Sequence, residues 1–452
     1  LTARGAGDAN DAALFDTYDT WKDEQLWPAV AKAFQVAAKG VEDPRSSGLD
    51  IQISADSRAS FLRQDLKHGL VLATKPLTAP NGPEKRHLEI QLPSGMSYRA
   101  GDYLAVLPFN PTRNVRRCLA RFSLPWDAMI TINPETHTAL PSGRPLPLFE
   151  VLSALVELSQ PATSKQLKQV AATIAEPAAR ESLERLANDA FKQEILDKNK
   201  SLLDILERYP SAQFSLGQFL EALPLMRIRQ YSISSSPLED PSKCTITYSV
   251  LDAPTRGGDP DKGRFLGVCS NYLRSRAPGD WIHVAVRPSH AGFHLPLDDT
   301  TPVLMVCAGT GLAPFRAFVQ ERALKIKSGK EVGPALLFYG CGMPDGDELY
   351  KSEFAEWEAQ GAVEVRHAYS RAPERSFGCR HVQDQIWHDR SEAKGLFMRN
   401  ARIYMCGAGA VGTEVNKVMA KIFMDAKGVS QESAEAWVNG LKGVRYWADV
   451  FA

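Results

Sequence analysis

Apolar and polar positions alternate along this chain with a period that changes several times. Phe15, Tyr18, Trp21, Leu26, Trp27, Val30 and Phe34 recur at near-helical spacing, behind a small, acidic stretch from Gly5 to Asn10. They predict an amphipathic helix with large aromatics and no preceding sheet to bury them. It is either a docking helix for the downstream domain or the last helix of a domain cut away. Val36 to Ser60 lacks sustained periodicity, carries Gly, Pro, Ser and Asp, and reads as a linker. From Leu66 to Pro108, three runs around Gly69–Ala73, Arg86–Leu92 and Tyr103–Leu107 are separated by Pro/Gly turns and predict antiparallel strands of a barrel. Asn114 to about Leu220 is mainly helical in pattern, as in Lys165–Ile174 and Ala178–Leu196, and reads as an insertion into that barrel. Strand patterns resume near Arg229–Ser234, Thr245–Leu251 and Trp281–Val286, with a helix-like Asn271–Arg276 between the last two.

After Pro302 the pattern changes again. Runs near Val303–Cys307, Ala335–Tyr339, Val363–Arg366 and Ala401–Cys406 are short and mostly apolar. They alternate with helical patterns near Pro314–Ser328, Lys351–Gln360, Val382–Asp389 and Gly412–Ala426. This is the signature of a parallel, doubly wound sheet, which binds ligands beyond the carboxyl ends of its strands.

Candidate chemistry sits at the ends of these runs. Arg229 can neutralise a phosphate, Tyr231 can lie flat on a ring, and Ser232 can donate a hydrogen bond to a heteroatom. That set suits a cofactor with a diphosphate and a flat heterocycle, although an ordinary amphipathic strand ending in a polar turn would carry it too. Gly267, Cys269 and Ser270 place small residues at a helix N-terminus, where backbone N–H groups attract anions. Gly309-Thr310-Gly311 follows a strand and opens a helix, so a backbone can approach a diphosphate there, and Pro314 suits the helix start. Gly407-Ala-Gly-Ala-Val-Gly412 is a literal dinucleotide fingerprint, but no further strand with an acidic residue is predicted at the distance that fold requires. It reads as a turn lining the same crevice. Cys406 precedes it, either at the ligand end of the strand or as a buried apolar thiol. Ser370-Arg371 follows a strand where an acidic residue would select NAD, and arginine selects the extra phosphate of NADP. His290 and His294 have metal-like spacing, but Gly292 and Pro296 argue for a structural loop, and no metal site is expected. Arg113, Arg116, Arg117 and Arg121 form a basic helical face, either solvated or able to dock an acidic partner.

Composition narrows the function classes. A chain of 452 residues implies two to four domains. Its 53 basic and 53 acidic residues cancel, which argues against bulk nucleic-acid or anionic-membrane binding. No apolar run reaches membrane-spanning length and no signal-like segment is present. Seven scattered cysteines without a C-x-x-C indicate neither a disulfide framework nor a zinc site, and suit a reducing compartment such as the cytoplasm. The chain starts at Leu1 rather than Met, as a piece of something longer would.

Together these motifs resemble the diflavin branch of the ferredoxin-NADP reductase superfamily. The resemblance rests on Arg229-Gln230-Tyr231-Ser232, Gly267-Val268-Cys269-Ser270, Gly309-Thr-Gly-Leu-Ala-Pro-Phe315, Ser370-Arg371 and Asp449-Val450-Phe451. Tyr98 to Asp102 and Arg86 to Glu89 match the first half of a flavin barrel, and Thr17 to Trp27 looks like the end of a flavodoxin-like FMN domain. Within the branch the sequence is most similar to the reductase half of self-sufficient cytochrome P-450 fatty-acid monooxygenases. A stand-alone NADPH–cytochrome reductase, or a sulfite-reductase-type flavoprotein, is the alternative within the family. A non-catalytic docking module is the alternative outside it.

The resemblance implies an α+β multidomain protein. An antiparallel β-barrel FAD domain with a helical connecting insertion precedes an α/β Rossmann-like NADP-binding domain. The expected boundaries are 1–36 for the FMN-domain remnant, 37–65 for a linker, 66–112 and 223–298 for the barrel, 113–222 for the insertion and 299–452 for the NADPH domain. It further implies FAD and NADPH as cofactors, with FMN and haem in missing domains, and as partners the FMN domain of the same polypeptide and a haem monooxygenase domain. By resemblance, Arg229 and Gln230 belong to the diphosphate strand, Tyr231 packs on the isoalloxazine, and Gly267, Val268, Cys269 and Ser270 complete the FAD site with Tyr248. Ser232, Cys406 and Asp449 match the polar set along the hydride path, and Phe451 the aromatic covering the flavin, with Trp447 as a rival. Thr310 matches the diphosphate loop, and Ser370, Arg371 and Gln383 the adenosine-phosphate site. The family's Lys-x-Tyr is replaced by Cys379-Arg380-His381, so Arg380 or Arg375 would supply the cation and His381 the stacking ring. Lys75 is a further candidate contact.

Overall fold

The computed structural model describes residues 14–34, 51–54, 66–80, 82–254, 264–289 and 292–451. The chain divides into two compact units. The first comprises 1–64, 108–227 and 251–273, the second 65–107, 228–250 and 274–452.

The first unit is largely helical, as its 3.6-residue periodicity predicts. Thr163, Ser201 and Ser215 each begin a helix with a reciprocal side-chain cap, so these local residues set where Ser164–Ala172, Leu202–Arg208 and Leu216–Ala222 start. Their apolar faces close a core containing Leu167, Val170, Leu203, Leu206 and Phe219. Two short strands, Met129–Ile132 and Pro145–Pro147, lie inside this block and pair with each other. Ile51–Ser54, within the stretch that reads as a linker, is a third strand, antiparallel to Met129–Ile132. The aromatic N-terminal helix is present as Leu14–Trp21 and Trp27–Phe34 around a wider turn. Asp16 accepts the N–H of Ser164 at 2.9 Å, and Asp23 pairs with Lys165 at 2.6 Å, so two acids sit at the positive end of that helix. Tyr18, Trp27 and Phe34 remain exposed.

In the second unit, six strands form an antiparallel sheet: β1 (Lys67–Pro76), β2 (Lys85–Gln91), β3 (Tyr103–Leu107), β4 (Arg229–Ser232), β5 (Lys243–Ser249) and β6 (Trp281–Arg287). Their order is β4-β3-β6-β1-β2-β5. A bridge between Ile233 and Ile246 joins the two edges, so the sheet closes into a barrel. Val71, Leu88, Ile90, Leu104, Val106, Ile246 and Val284 are fully buried in it, each worth about 1.5–3 kcal/mol of burial.

The same unit holds five parallel strands: β7 (Val303–Ala308), β8 (Ala335–Cys341), β9 (Glu364–Tyr369), β10 (Arg402–Ala408) and β11 (Tyr446–Phe451). The order β9-β8-β7-β10-β11 reverses direction between β7 and β10. The carboxyl ends of those two strands are therefore the topological switch point, where doubly wound sheets bind ligands. β11 is absent from the pattern of predicted elements, but it follows the Gly407–Gly412 turn only after helices Gly409–Lys427 and Gln431–Leu441, farther along than a dinucleotide fingerprint requires. Helices Arg390–Met398 and Gln431–Leu441 are also absent from the pattern of predicted elements. Among the described residues no helix is long and apolar enough to cross a membrane.

Candidate active site

Two strand pairings, one in each sheet of the second unit, build the central cluster. In the barrel Ser232 stands opposite Tyr103. In the parallel sheet Cys406 stands beside Asp449. The two pairs meet at one carboxylate. Ser232 Oγ donates to Asp449 Oδ2 at 3.1 Å, Cys406 Sγ lies 3.7 Å from the same oxygen, and the Tyr103 hydroxyl also bonds to this side chain. Burial pushes the Asp449 carboxyl above its ordinary range, and the three donors only partly offset this. Burial, then the Asp449 charge, hold the Cys406 thiol and the Tyr103 phenol well above their usual values, so both remain neutral donors. The arrangement is one half-buried carboxylate held by neutral donors at the switch point. Ser232, Cys406 and Asp449 are brought together as the sequence motifs suggest. Tyr103 escaped sequence reasoning because only strand register places it opposite Ser232.

The loop after β7 folds as a tight turn, Gly309–Leu312, running into helix Ala313–Lys327 with Pro314 in its first turn. Gly309 has φ +57°, which favours glycine. Gly311 is required for another reason: a Cβ there would collide with the Cys406 carbonyl. This glycine thus seats the loop against β10 as well as leaving backbone open toward a ligand. Gly311→Ala is expected to cost about 1–3 kcal/mol through overpacking, measured as a lowered denaturation midpoint. An unchanged midpoint would contradict the close approach.

On β4, Arg229 and Tyr231 alternate with exposed Gln230 and with Ser232. The Tyr231 ring meets buried Tyr248 edge-on, 5.9 Å between centroids. Gly267, Val268, Cys269 and Ser270 belong to the first unit, where helix Val268–Arg274 begins earlier than its pattern suggests. Ser270 Oγ accepts the N–H of Leu251 at 3.1 Å, tying the turn closed.

Arg371 follows β9 and is half exposed. Its neighbour Ser370 is fixed by its N–H to the Cys341 carbonyl at 3.0 Å. No carboxylate competes for this position in the sequence motif, yet in space Asp347 Oδ1 lies 3.8 Å from the Arg371 guanidinium. Arg375, Arg380 and His381 are exposed, and Gln383 is half-buried in helix Val382–His388. An exposed ring that no motif singles out is Phe377, at φ +53° and stacked on His388 at 4.9 Å. Lys75 lies 6.0 Å from the Tyr350 ring.

Trp447 is buried in the sheet core, stacked on Tyr404 at 5.5 Å, with the Arg402 guanidinium 4.7 Å from its ring centre. Phe451 instead ends β11 with 37% of its surface exposed, so it is the ring available to a ligand. Of the two spaced histidines, His294 pairs through Nε2 with Asp102 at 2.8 Å, and His290 lies outside the described residues. Two of the four arginines of the basic face are spent internally, while Arg113 and Arg116 are exposed. Arg117 pairs with Asp204 and Glu207, and Arg121 donates to the Leu206 and Ala212 carbonyls.

A family model described as an FAD binding domain matches residues 71–272, and one described as an oxidoreductase NAD-binding domain matches 305–417. The chain is 44% identical over its whole length to a bifunctional cytochrome P450/NADPH–P450 reductase of Fusarium oxysporum. The chain joins an FAD-binding domain to an oxidoreductase NAD-binding domain. Two other relatives are 44% identical, the ascE bifunctional cytochrome P450/NADPH–P450 reductase of Acremonium egyptiacum, and 43% identical, a self-sufficient cytochrome P450 monooxygenase of Phanerodontia chrysosporium. Each alignment covers 100% of this chain and 42% of the relative, so the chain spans less than half the length of the relatives it matches. These two domains account for the barrel followed by the parallel sheet, and for FAD and a nicotinamide dinucleotide as cofactors.

Proposed function

We propose that the chain takes electrons from NADPH onto bound FAD and passes them to an FMN domain, and from there to a haem monooxygenase domain of the same polypeptide. In that setting the terminal reaction is fatty-acid hydroxylation. The observation that carries this reading is the carboxylate of Asp449, held at the switch point by Ser232 and Cys406. A barrel strand and the nucleotide-binding sheet supply one polar centre, as a reaction between two stacked cofactors requires.

The residues present fit both groups. In the second unit Arg229 would supply a cation for the FAD diphosphate, and Tyr231 and Tyr248 aromatic surface; in the first unit, taken by itself, Gly267, Val268, Cys269 and Ser270 form a helix start of the kind that attracts anions. Gln230 shares the strand. Gly309, Thr310 and Gly311 form a backbone turn suited to the nicotinamide cofactor's diphosphate, opened by a left-handed glycine. Ser370, Arg371, Arg380 and Gln383 are the residues that would hold the adenosine phosphate. When bound, the flavin accepts a hydride and releases electrons singly, while the protein supplies orientation and electrostatics. Asp449 opposes the positive charge the nicotinamide ring acquires, and Ser232, Cys406 and Tyr103 keep that carboxylate in place. With FAD bound, Phe451 would cover the flavin face that the nicotinamide must reach and would act as a gate. Phe451→Ala should therefore raise NADH use, because the competing ring is gone. An unchanged NADPH/NADH preference in steady-state rates would count against the gate.

The seven cysteines are all reduced and buried, which supports a cytoplasmic location. Acceptor choice tests the wider assignment. With NADPH the chain should reduce ferricyanide readily but cytochrome c hardly at all, until a separate FMN domain is added. Equal cytochrome c reduction without that domain would overturn the relay.

A further inference from the structure

One buried cation near this site belongs to none of the motifs. Lys85, at the start of β2, is only 7% exposed. Its Nζ lies 3.2 Å from Asp347 Oδ2. It also lies 3.8 Å from where a Cβ on Gly309 would stand, so the ammonium faces the opening residue of the diphosphate turn. Asp347 serves more than this lysine. It accepts the N–H groups of Gly342 at 3.0 Å and Met343 at 2.7 Å, and Arg371 approaches its other oxygen at 3.8 Å. The Arg371 guanidinium packs so closely over Gly342 that a side chain there would collide with it. Burial pushes the Asp347 carboxyl up, but the Met343 N–H, the Lys85 charge and the Gly342 N–H hold it below its usual range. One carboxylate therefore holds two cations, one reaching from the barrel and one following β9.

This exceeds what packing alone would call for. A buried ion pair is no more stable than apolar residues of similar volume, and here one positive charge is left over. Asp347 takes one of the three donors an ammonium carries. The surplus charge and donors sit against a turn already suited to a diphosphate.

We infer that Lys85 is a further ligand of the nicotinamide cofactor's diphosphate, and that Asp347 is the positioning residue that sets Lys85 and Arg371 as a pair. Lys85 then serves the diphosphate common to both nicotinamide cofactors, and Arg371 serves the 2′-phosphate found only in NADP. The inference rests on the NADPH reading and adds a division of labour between the two cations.

Calorimetric titration of the full chain with NADP+, NAD+ and adenosine 2′-monophosphate separates the roles. Lys85→Met should weaken NADP+ and NAD+ by the same factor, about tenfold for a lost charge-assisted bond, and leave adenosine 2′-monophosphate unchanged. That retained ligand also reports an intact fold. Lys85→Arg should recover most of the NADP+ affinity, and Asp347→Asn should weaken all three ligands while leaving the melting midpoint within a few degrees. Lys85→Met binding NADP+ like the unsubstituted chain would overturn the inference while leaving the NADPH reading intact. Equal loss of all three ligands in Lys85→Met would also overturn it, as a structural role. Failure of the unsubstituted chain to bind NADP+ would overturn both.

Discussion

Replacing Asp449 with Asn is expected to slow the reduction of bound flavin by NADPH about a hundredfold, the usual cost of removing one preorganised charge-stabilising group. The side chain accepts from Ser232, Cys406 and Tyr103, so asparagine can keep much of the geometry while losing the charge. The loss should fall on kcat, with the KM for NADPH little changed, because the charge matters most once the nicotinamide becomes cationic. Rapid-mixing absorbance of the flavin measures this step. The pH dependence has a definite sign. The charged carboxylate is the active form and its pKa is raised by burial, so the rate should fall as pH drops through that raised value. Asp449→Asn should lack this limb. Stability should move the other way. A carboxyl whose folded pKa lies above its unfolded value stabilises the fold below the unfolded pKa, and that contribution is lost as pH rises through the folded one. At neutral pH the ionised group is a burden, and Asp449→Asn should melt no lower than the parent. A variant that reduces flavin at the parent rate would remove Asp449 from the mechanism.

Replacing Arg371 with Ala is expected to weaken NADPH about thirtyfold, within the range for a lost charge-assisted bond to phosphate. NADH, which lacks the 2′-phosphate, should be affected only about twofold by the same bookkeeping of contacts. Arg371 is half exposed and held at 3.8 Å by Asp347, so its charge is partly screened before cofactor arrives. The effect should shrink in high salt. Steady-state KM values for the two cofactors at low and high ionic strength provide the check. Equal loss of both would refute the phosphate assignment.

Much of the fold was legible because burial imposes period on sequence. Leu88 and Ile90 are buried on either side of the partly exposed Glu89, while β3, β7 and β8 are apolar almost throughout because both faces are covered. β11 was missed for the complementary reason. It lies at the sheet edge, only its first two residues are buried, and Asp449 interrupts its apolar pattern. The strands Met129–Ile132 and Pro145–Pro147 are short, and one partner, Ile51–Ser54, lies far away in sequence. Motifs revealed the site residues that lie beside a distinctive turn, such as Gly309–Gly311 and Ser370–Arg371. They could not reveal Tyr103 or Lys85. The role of Tyr103 depends on register with Ser232, and Lys85 finds its carboxylate 262 positions along the chain. The motif favours Phe451 over Trp447, and solvent exposure runs the same way.

One reaction in this chain is central, the reduction of its own FAD by NADPH. The purified protein, supplied with FAD and freed of excess, should retain the flavin in equimolar amount and release FAD alone on denaturation. Mixed anaerobically with NADPH, its flavin absorbance should bleach in a single encounter, and much more slowly with NADH. A chain that retains no FAD, or whose bound flavin NADPH cannot bleach, would contradict it.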